Sequence, residues 1–322
     1  MAALPDIPLP DLVELPNLTV ADLDPLLNEE IAVWERRFSW DFRPSAGLLR
    51  RFLQIHSLSG YALRLNRQVI GYAYHVCEGH KGLIGDFYVR AEHAGSANEM
   101  MLLGAVVQGL MLVPGVRRIE SQLMLIHSRL AQGPPFNRYL KRHDRYFMDL
   151  DSDSALKLPL KTSGFRATFL PWAERFQEEI AHLVAASYKG HVDSEINDQY
   201  RTIPGARHFL MNIVKFPGCG QFSPAASVVA IDDRTGRICG VCLASMVSAT
   251  SGHVTQLCVL PALRGARLGY ELLRQCLVRL AGLGCASMSL TVTSSNLDAI
   301  RLYEAAGFRS RSMFPACVWD GF

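Results

Sequence analysis

Residues 260–273, LPALRGARLGYELL, combine small residues and cations where an apolar run ends and a helical pattern begins. The first N–H groups of a helix lack intrahelical acceptors, and together with the helix dipole they bind phosphate groups. Gly265 and Gly269 remove Cβ atoms where an anion must come close. Arg264 and Arg267 can add charge-assisted hydrogen bonds. The segment therefore predicts an anion site, against the alternative of a basic turn that leads into a surface helix.

Two common phosphate-binding patterns do not fit this segment. A P-loop requires Gly-Lys-Ser/Thr, and a dinucleotide fingerprint requires GxGxxG with a downstream acidic residue. A second candidate is the CxxC of Cys239 and Cys242, which lies in the strand-like run RICGVCLASMV, where positions three apart face opposite sides. A redox CxxC belongs at a helix N-terminus, and a zinc site requires a second ligand pair. We therefore expect structural thiols and no metal site.

Downstream, LTVTSSNLDAIRLYEAAGF places Asn296 after a strand-like run and Tyr303 on a short helix, followed by Gly307-Phe308. These two segments, in this order and at this spacing, resemble the GCN5-related N-acetyltransferase (GNAT) family over residues 165–322. The resemblance implies that the first segment binds the pyrophosphate of acetyl-CoA. It also implies that the preceding strand offers backbone groups to the pantetheine arm and to the acetyl carbonyl.

The resemblance implies a role for each matching position. The expected backbone partners of the acetyl–pantetheine arm are Leu257, Cys258 and Val259, and the expected pyrophosphate site comprises Arg264, Gly265, Ala266, Arg267, Leu268, Gly269 and Tyr270. Asn296 is expected to meet the pantetheine. Tyr303 matches a tyrosine that acts as general acid towards the leaving thiolate, although it could instead only pack its ring.

Arg267 departs from the family pattern, which usually has glycine at that position. An arginine in right-handed helical geometry can still donate its backbone N–H. Its side chain then either adds a phosphate contact or is a tolerated replacement for glycine. Binding of CoA is still expected, and the role of this side chain stays open.

Acetylation of an amine requires a group that removes a proton. Histone-type members of the family have a glutamate four residues before the L-x-V segment, and here that position is His253, which either acts as the base or caps a strand end. An acceptor site is expected around SYKGHVDSEINDQYR and FPGCGQF, which could instead be ordinary polar loops. The candidate acceptor residues are Tyr188, His191, Asp193, Asn197, Gln199, Tyr200, Arg201 and Cys219. For Cys219 as an acyl-carrying nucleophile, the sequence identifies no partner base.

The elements that must position these residues follow an alternating α/β pattern. The first half predicts helices within 20–56, a hairpin in YALRLNRQVIGYAYHV, strands in KGLIGDFYVRAE and RRIESQLML, and a helix in NEMMLLGAVVQGLMLV. RYLKRHDRYF is predicted as a short helix, and DLDSDSALKLP as a linker or crossing strand. The second half repeats the order, with helices in WAERFQEEIAHLVAASY, LGYELLRQCLVRLAGLG and LDAIRLYEAAG, a hairpin in ASVVAIDDRTGRICGVCLASMVS, and strands in GHVTQLCVL, SMSLTVTS and SRSMFPACVW.

The two halves align without a gap at the centre. GLIGDFYVRAEHAGSANEMMLL matches GHVTQLCVLPALRGARLGYELL, with Gly95 standing 170 positions before Gly265. This internal repeat predicts two tandem GNAT-like domains, 1–155 and 156–322. The predicted fold class is α/β with a mixed, mostly antiparallel central sheet flanked by helices.

The first copy retains the predicted elements but not the residues of the anion site. Ala94, Ala97 and Glu99 stand where the second copy has Arg264, Arg267 and Gly269. Glu92 and Glu99 would repel a pyrophosphate. We therefore expect a degenerate first domain that does not bind CoA and a catalytic second domain that does.

Composition and charge exclude several classes of protein. With 49% hydrophobic residues, 20% charged residues and a net charge of +3, the chain is an ordinary globular protein. The small charge argues against broad binding to nucleic acid or to anionic membranes. The N-terminal segment lacks a basic region and is interrupted by prolines, so no targeting peptide is expected. The eight cysteines are then expected to be free thiols in a cytoplasmic protein.

These observations predict an acyl-CoA-dependent N-acyltransferase that transfers an acetyl group from acetyl-CoA to a primary amine by direct attack. The acceptor is expected to be a small molecule or a peptide. One alternative is a CoA-binding or CoA-sensing protein without turnover. Another is an aminoacyl or peptidyl transferase of the wider superfamily, which the CoA-binding segments and the small net charge disfavour. The sequence leaves the acceptor, the acyl length and the oligomeric state open.

Overall fold

The computed structural model describes residues 9–128, 130, 133–161, 164–216 and 218–322. The chain forms two compact units that exchange segments along the sequence. The first unit comprises Met1–Trp34, Phe42–His143 and Phe314–Phe322, and the second comprises Glu35–Asp41 and Asp144–Met313. The main boundary therefore lies after His143, earlier than the predicted division after residue 155, and the last strand of the chain contributes to the first unit.

The secondary structure alternates along both halves of the chain. The strands are β1 (Asp11–Glu14), β2 (Gly60–Leu65), β3 (Gln68–Glu78), β4 (Lys81–Val89), β5 (Arg118–Gln122), β6 (Leu140–Asp151), β7 (Ala167–Pro171), β8 (Gln221–Phe222), β9 (Val228–Asp232), β10 (Ile238–Ser248), β11 (Ser251–Val259), β12 (Ser287–Thr293) and β13 (Arg309–Asp320). The α-helices are α1 (Val20–Phe38), α2 (Arg43–Gln54), α3 (Ser96–Met111), α4 (Ser152–Leu156), α5 (Gln177–Ser187), α6 (Asp193–Ile196), α7 (Ile203–Lys215), α8 (Leu268–Gly282) and α9 (Leu297–Ala305).

The sheet of the first unit has the order β1-β2-β3-β4-β5-β13. Its pairs are antiparallel except for β4 with β5, and β13 pairs with β5 through Ala316–Asp320. The apolar face of α3 buries Leu102, Val106 and Leu110 against this sheet. The hairpin of β2 and β3 turns at Asn66 and Arg67, both with positive φ, as a two-residue turn of the primed type requires.

The sheet of the second unit has the order β6-β12-β11-β10-β9-β7, and β8 adds to β10. Only β11 and β12 are parallel among these pairs in the described part of the unit. On one face, α8 buries a row of leucines that includes Leu272 and Leu280. On the other face, α5 and α7 bury Ile180, Val184 and Leu210. These layers give the mixed α/β fold with a mostly antiparallel sheet that the sequence predicts.

Several segments differ from the prediction, and the strands β1 and β7 were not predicted. RYLKRHDRYF was expected to be helical, but residues 140–151 form β6, in which Phe147 and Met148 are buried. The pairing of β6 with β12 overrides the helical propensity of its charged residues. The segment predicted as a linker includes α4, which Asp151 caps by accepting a hydrogen bond from the Ser154 N–H. The helix α7 was not predicted.

The CxxC also differs from its prediction in one respect. Cys239 and Cys242 are free and buried, as expected, but both lie in the same core cluster beside α8. A register shift between Ile238 and Gly240 explains this, because one extra residue reverses the alternation of side chains along β10. The Cys239 thiol donates to the Ala230 carbonyl at 3.3 Å. No group of metal ligands is found within the described ranges.

In the part of the chain that the structure describes, no helix has both the length and the apolar character that crossing a membrane requires.

Candidate functional site

The candidate site begins where β11 and β12 part. Their parallel pairing covers Ser251–Val254 and Ser287–Leu290, and both strands continue beyond it. The separation coincides with a bulge in the pairing of β11 with β10, at Thr255. Past this point the edge of β11 that faced β12 has no strand partner among the residues described. The result is a gap beside the last residues of β11.

The backbone of β11 presents hydrogen-bonding groups to this gap. The Leu260 N–H donates to the Cys239 carbonyl at 2.9 Å. Because backbone groups alternate in direction along a strand, those of Cys258 also face β10, whereas those of Leu257 and Val259 face the gap. The Val259 carbonyl accepts from the Ser187 hydroxyl at 3.0 Å. Two of the three predicted backbone partners therefore have the required direction, and Cys258 does not.

The turn at residues 261–270 leads from this gap into α8. Gly265 has φ of 80° and Arg267 has φ of 63°, so the chain passes twice through the left-handed region. Arg267 is the residue before α8, and no side chain caps the helix there. The N–H groups of Leu268, Gly269 and Tyr270 lie in the first turn of α8 and have no intrahelical acceptor. These features suit a turn whose backbone donors surround an anion.

The conformation of Arg267 explains why the family pattern usually has glycine at this position. We expected right-handed helical geometry, but the residue is left-handed, which is the conformation that glycine adopts without cost. A non-glycine residue there costs roughly 1–2 kcal/mol. The usual glycine at this position is therefore a requirement of the backbone rather than of the space around it.

The other predicted members of the turn divide by what their side chains do. The Arg264 guanidinium donates to the Ser187 carbonyl at 2.6 Å, so it closes the end of α5. The Tyr270 hydroxyl donates to the Pro159 carbonyl at 2.9 Å, which leaves only its N–H for a ligand. The Lys161 ammonium lies 4.1 Å from the centre of the Tyr270 ring. This lysine, which the sequence did not single out, brings a positive charge close to the first turn of α8.

Gly269 leaves room beside the turn. A Cβ placed on it would lie 3.8 Å from Leu302 and 4.0 Å from Val259, which are ordinary contacts. Packing of the protein therefore does not require glycine here. Space for a ligand at the start of α8 is a reason that remains.

Tyr303 lies on α9 and is only 9% exposed. Its ring packs in the core cluster that contains Cys242 and lies 6.0 Å from the Phe308 ring. Burial raises the pKa of its phenol, so the hydroxyl keeps its proton at neutral pH. Asn296 caps α9 by accepting from the Ala299 N–H at 3.3 Å, and its amide nitrogen lies 3.2 Å from His191 Nε2.

His253 is a buried residue of β11 and lies among aromatic rings. Its Nδ1 is 2.9 Å from the Ser289 hydroxyl. The Trp40 ring meets it edge-on at 4.9 Å, and the Phe147 ring stacks at 6.4 Å. Burial, together with the charge of Arg145, lowers the pKa of His253 to about 3. The imidazole is therefore neutral at pH 7 but is a much weaker base than free histidine.

Four of the predicted acceptor residues come together around Gln256. The Gln256 amide donates to the Tyr188 hydroxyl at 2.5 Å and accepts from the Tyr200 hydroxyl at 3.4 Å. The two tyrosine rings stack at 4.4 Å, and the His191 ring meets Tyr188 edge-on at 5.2 Å. The Thr293 hydroxyl of β12 donates to the Asp193 carboxylate at 2.5 Å. Tyr188, His191, Asp193 and Tyr200 thus form one polar group beside the ends of β11 and β12.

The remaining candidates have other roles. Asn197 accepts from the Gln199 N–H at 3.0 Å and caps a short turn. The Arg201 guanidinium donates to the Ser194 carbonyl at 2.7 Å and holds α6 in place. Cys219 is exposed on the loop that follows α7. Asn197 also joins the group around Gln256, because its side chain forms a hydrogen bond with Tyr200, and Cys219 is close enough to affect the pKa of Tyr200.

Sequence reasoning missed three residues of this region. Gln256 is the polar residue in the apolar end of HVTQLCVL, a signal that could have identified it. Thr293 is the last residue of β12, where strand ends commonly contribute site residues. Arg145 lies in the segment that we predicted to be helical, and its strand geometry places it opposite Thr293. Only the pairing of β6 with β12 reveals that position.

In the first unit, Glu99 of α3 binds backbone N–H groups of a segment outside the corresponding turn. Glu99 is fully buried and accepts from the N–H groups of His127 and Ser128 at 2.8 and 2.7 Å. The Glu99 carboxylate therefore faces the protein's own backbone, and the expectation that it repels a phosphate stays a prediction. Glu92 is exposed and lies 3.8 Å from Arg90.

Comparison with known proteins agrees with this geometry. The model of the Acetyltransferase (GNAT) family matches residues 195–308. A GCN5-related N-acetyltransferase from Sphaerobacter thermophilus is similar in fold, with a TM-score of 0.64, 15% identity, and coverage of 97% of this chain and 96% of that one. A tandem GNAT protein from the clavulanic acid biosynthesis pathway gives a TM-score of 0.55, 14% identity, and coverage of 97% and 98%.

A GNAT-family acetyltransferase from Colwellia psychrerythraea gives a TM-score of 0.53 and 12% identity, and the match covers 97% of this chain and 100% of that one. At such identities the likeness shows the fold alone. No curated protein matches the sequence significantly. The structural matches extend over both units, whereas the family model matches only the second.

Proposed function

Because residues 195–308 form a domain of the Acetyltransferase (GNAT) family, we propose that this protein is an acyl-CoA-dependent N-acyltransferase. We further propose that it transfers an acetyl group from acetyl-CoA to a primary amine. The observation that supports this most is that three features of the second unit lie next to one another. The backbone of Leu257 faces a gap in the sheet, the 261–270 turn follows it, and Tyr303 lies in the core cluster that packs against Leu257 and Val259.

The turn suits the pyrophosphate of acetyl-CoA, and the gap suits its thioester and pantetheine arm. A pyrophosphate would accept hydrogen bonds from the N–H groups at the start of α8, with Lys161 adding charge. The Leu257 N–H would donate to the thioester carbonyl oxygen, where negative charge develops during attack. The Val259 N–H would donate to the pantetheine arm.

The reaction itself is a direct displacement. The amine nitrogen forms a bond to the acyl carbon, the carbon–sulfur bond breaks, and the sulfur leaves as a thiolate. One proton passes from the attacking nitrogen to a base, and one proton passes from the Tyr303 hydroxyl to the sulfur. Burial raises the pKa of Tyr303, so the hydroxyl is protonated beforehand. The same shift makes the phenol a weaker acid, so its proton moves only as negative charge develops on the sulfur. Water then restores the proton of Tyr303.

We assign the proton of the attacking nitrogen to water rather than to His253. A histidine with a pKa of about 3 binds a proton too weakly to hold it at neutral pH. Its hydrogen bond to Ser289 and its contacts with Trp40 and Phe147 make it a positioning residue for the floor of the site. A His253→Asn variant, whose amide can replace the Nδ1 contact, is expected to retain kcat within about threefold.

The experiment that tests the proposal joins binding with turnover. Calorimetry with acetyl-CoA should show one binding site per chain, and a screen of primary amines should release free CoA. Replacement of Tyr303 by phenylalanine should lower kcat about 100-fold and leave the Kd of acetyl-CoA unchanged, because general acid catalysis contributes about 10²–10⁴. Tyr146→Phe is the matched control, since Tyr146 packs against the same core cluster and is expected to have no effect.

Two results would contradict this proposal. Absence of acetyl-CoA binding at millimolar concentration would remove it altogether. Binding without CoA release from any amine would instead favour a CoA-sensing protein, for which the strained Arg267 and the weak base His253 are the supporting observations. An unchanged kcat in Tyr303→Phe would reject the acid but not the reaction.

A further inference from the structure

Two opposite charges lie on either side of Thr293, next to the proposed acyl site. Arg145 of β6 is the register partner of Thr293 in β12, so the two side chains are cross-strand neighbours on one face of the sheet. The Thr293 hydroxyl donates to Oδ1 of Asp193 at 2.5 Å. Arg145 and Asp193 therefore reach the same place from a strand and from the segment that covers the strand ends.

The Asp193 carboxylate is partly exposed. Its side chain is 17% exposed, and its other oxygen lies 3.8 Å from His191 Nδ1. Within the described ranges, no lysine or arginine lies within 4.0 Å of this carboxylate. An ammonium group that approached Asp193 would thus meet a partly desolvated carboxylate, with the charge of Arg145 on the other side of Thr293.

Both charges act on the groups of the proposed reaction. Burial has the largest effect on Tyr303 and raises its pKa, the charge of Asp193 adds to the rise, and the charge of Arg145 opposes it. The same opposition holds at Tyr200, whose pKa is raised chiefly by burial. The guanidinium and the carboxylate are therefore both close to the phenol that would protonate the leaving sulfur.

We propose that Arg145 and Asp193 bind the two ends of a zwitterionic acceptor, an amine that has a carboxylate a few bonds from the nitrogen, as in an amino acid. This inference rests on the proposed function. Asp193 accepts hydrogen bonds from the ammonium group, and Arg145 donates to the carboxylate, for which its planar guanidinium is suited. A purely cationic amine would be repelled by Arg145, and an anionic acceptor would be repelled by Asp193. An acceptor with both charges is attracted at both ends.

Acceptor triplets test this class directly. L-alanine, L-leucine and L-phenylalanine are each compared with the corresponding amide and with the amine formed by removal of the carboxylate, and release of free CoA is measured. We expect at least one amino acid to exceed its amide and its amine about tenfold or more in kcat/KM. The amide's amine loses its proton more easily, so intrinsic reactivity works against the expected order.

Two variants separate the contributions of the two charges. Arg145→Gln should remove the preference for the amino acid over its amide, with the KM of the amino acid raised at least tenfold and the KM of the amide not raised. Asp193→Asn should raise the KM of amino acid and amide alike, and neither variant should change the Kd of acetyl-CoA. Arg301→Gln is the control, because Arg301 is 74% exposed on α9.

Binding measured without turnover keeps the inference separate from the proposed function. Saturation-transfer NMR with the same triplets reports contact with the protein whether or not acetyl-CoA reacts. If the protein binds the amino acid in preference and this preference disappears in Arg145→Gln, the inference is supported even if no CoA is released. It is overturned if amides and amines bind and react as well as the amino acids, or if Arg145→Gln retains the preference. Failure of acetyl-CoA to bind would reject the proposed function instead.

Discussion

The segments β4–α3 and β11–α8 have the same order of strand, turn and helix, but they differ in the residues and the conformation of the turn. β4 and β11 have nine residues each, and short 3-10 turns follow them at Ala91–His93 and Pro261–Leu263. In each unit the parallel pairing to the next strand ends at equivalent residues, Ile84 and Val254, which stand 170 positions apart. The gap in the sheet is thus a property of the repeated fold and not of the site.

The two turns differ in where the helix begins. Gly95 is extended, with φ of 161°, and α3 starts directly after it at Ser96. In the second unit Gly265 is left-handed and α8 starts only at Leu268, two residues later in the repeat. The first unit also places the buried carboxylate of Glu99 beside its turn, on the N–H groups of residues 127 and 128. The two turns therefore differ in a delayed helix start and in an internal carboxylate, and we propose that this difference gives the second turn its anion site.

A second pair of equivalent positions differs in charge. Gln256 joins Tyr188 and Tyr200 through a neutral amide, whereas Asp86, 170 positions earlier, lies in a buried group with Glu30 and Tyr72. Burial raises the pKa of both Glu30 and Asp86, and the two carboxyl groups are close enough to affect each other. The first unit therefore fills with its own polar groups the region that corresponds to the proposed acceptor site of the second unit.

The largest expected change in stability follows from removal of the Glu99 carboxylate. Glu99→Ala removes a fully buried carboxylate and leaves the N–H groups of His127 and Ser128 without this acceptor, so it should lower the free energy of unfolding by about 3 kcal/mol. Glu92→Ala, on an exposed residue of the preceding turn, should change it by about 0.5 kcal/mol or less. Urea titration monitored by fluorescence measures both. Equal effects of the two substitutions would show that the first unit does not depend on its own anion.

The glycines at the two turns should respond differently to a methyl group. Gly265→Ala places a side chain at φ of 80° and should cost about 1–2 kcal/mol, with weaker binding of acetyl-CoA. Gly95→Ala, in extended backbone with open space around the Cβ, should be neutral or slightly stabilising. Thermal unfolding and calorimetry with acetyl-CoA test the pair. A loss of stability in Gly95→Ala as large as that in Gly265→Ala would contradict the difference in backbone conformation between the two glycines.

The smallest expected changes in stability have opposite signs at Arg267 and at Ala97, its equivalent in the first unit. Arg267→Gly relieves a left-handed arginine and should raise stability by about 0.5–1 kcal/mol. Ala97→Gly, at the equivalent position within α3, should lower stability by about 0.5 kcal/mol, because glycine disfavours helix. Differential scanning calorimetry resolves the two signs. A destabilising Arg267→Gly would mean that contacts of the side chain outweigh the strain.

Much of this comparison could be predicted from the sequence. Hydrophobic periodicity predicted the hairpins, the long helices and the repeat, because those elements bury a regular face. The 261–270 turn followed from glycines and arginines at a strand-to-helix junction. The left-handed conformation of Arg267 could not be predicted, because local sequence favours right-handed backbone for arginine.

Other features depend on tertiary pairing that local patterns do not contain. Arg145 was missed because the charges of RYLKRHDRYF suggested a helix, and only the strand β12 beside it fixes the alternate geometry. His253 was a candidate base from its position, but burial and the charge of Arg145 lower its pKa. Trp40 and Phe147, whose rings contact it, come from distant parts of the chain. The exchange of the last strand could not be predicted, because β13 could have paired in either unit.

The placement of the last strand has a consequence for synthesis on the ribosome. Residues 316–320 of β13 pair with β5, and Phe314–Phe322 belongs to the first unit, although the whole second unit lies between them in the sequence. A nascent chain therefore exposes the edge of β5 until the second unit has been made, and an unpaired edge invites aggregation. Slow translation between residues 143 and 314 would lengthen this exposure. Full-length yield should then depend on chaperones that shield strand edges, more than on the stability of the finished protein.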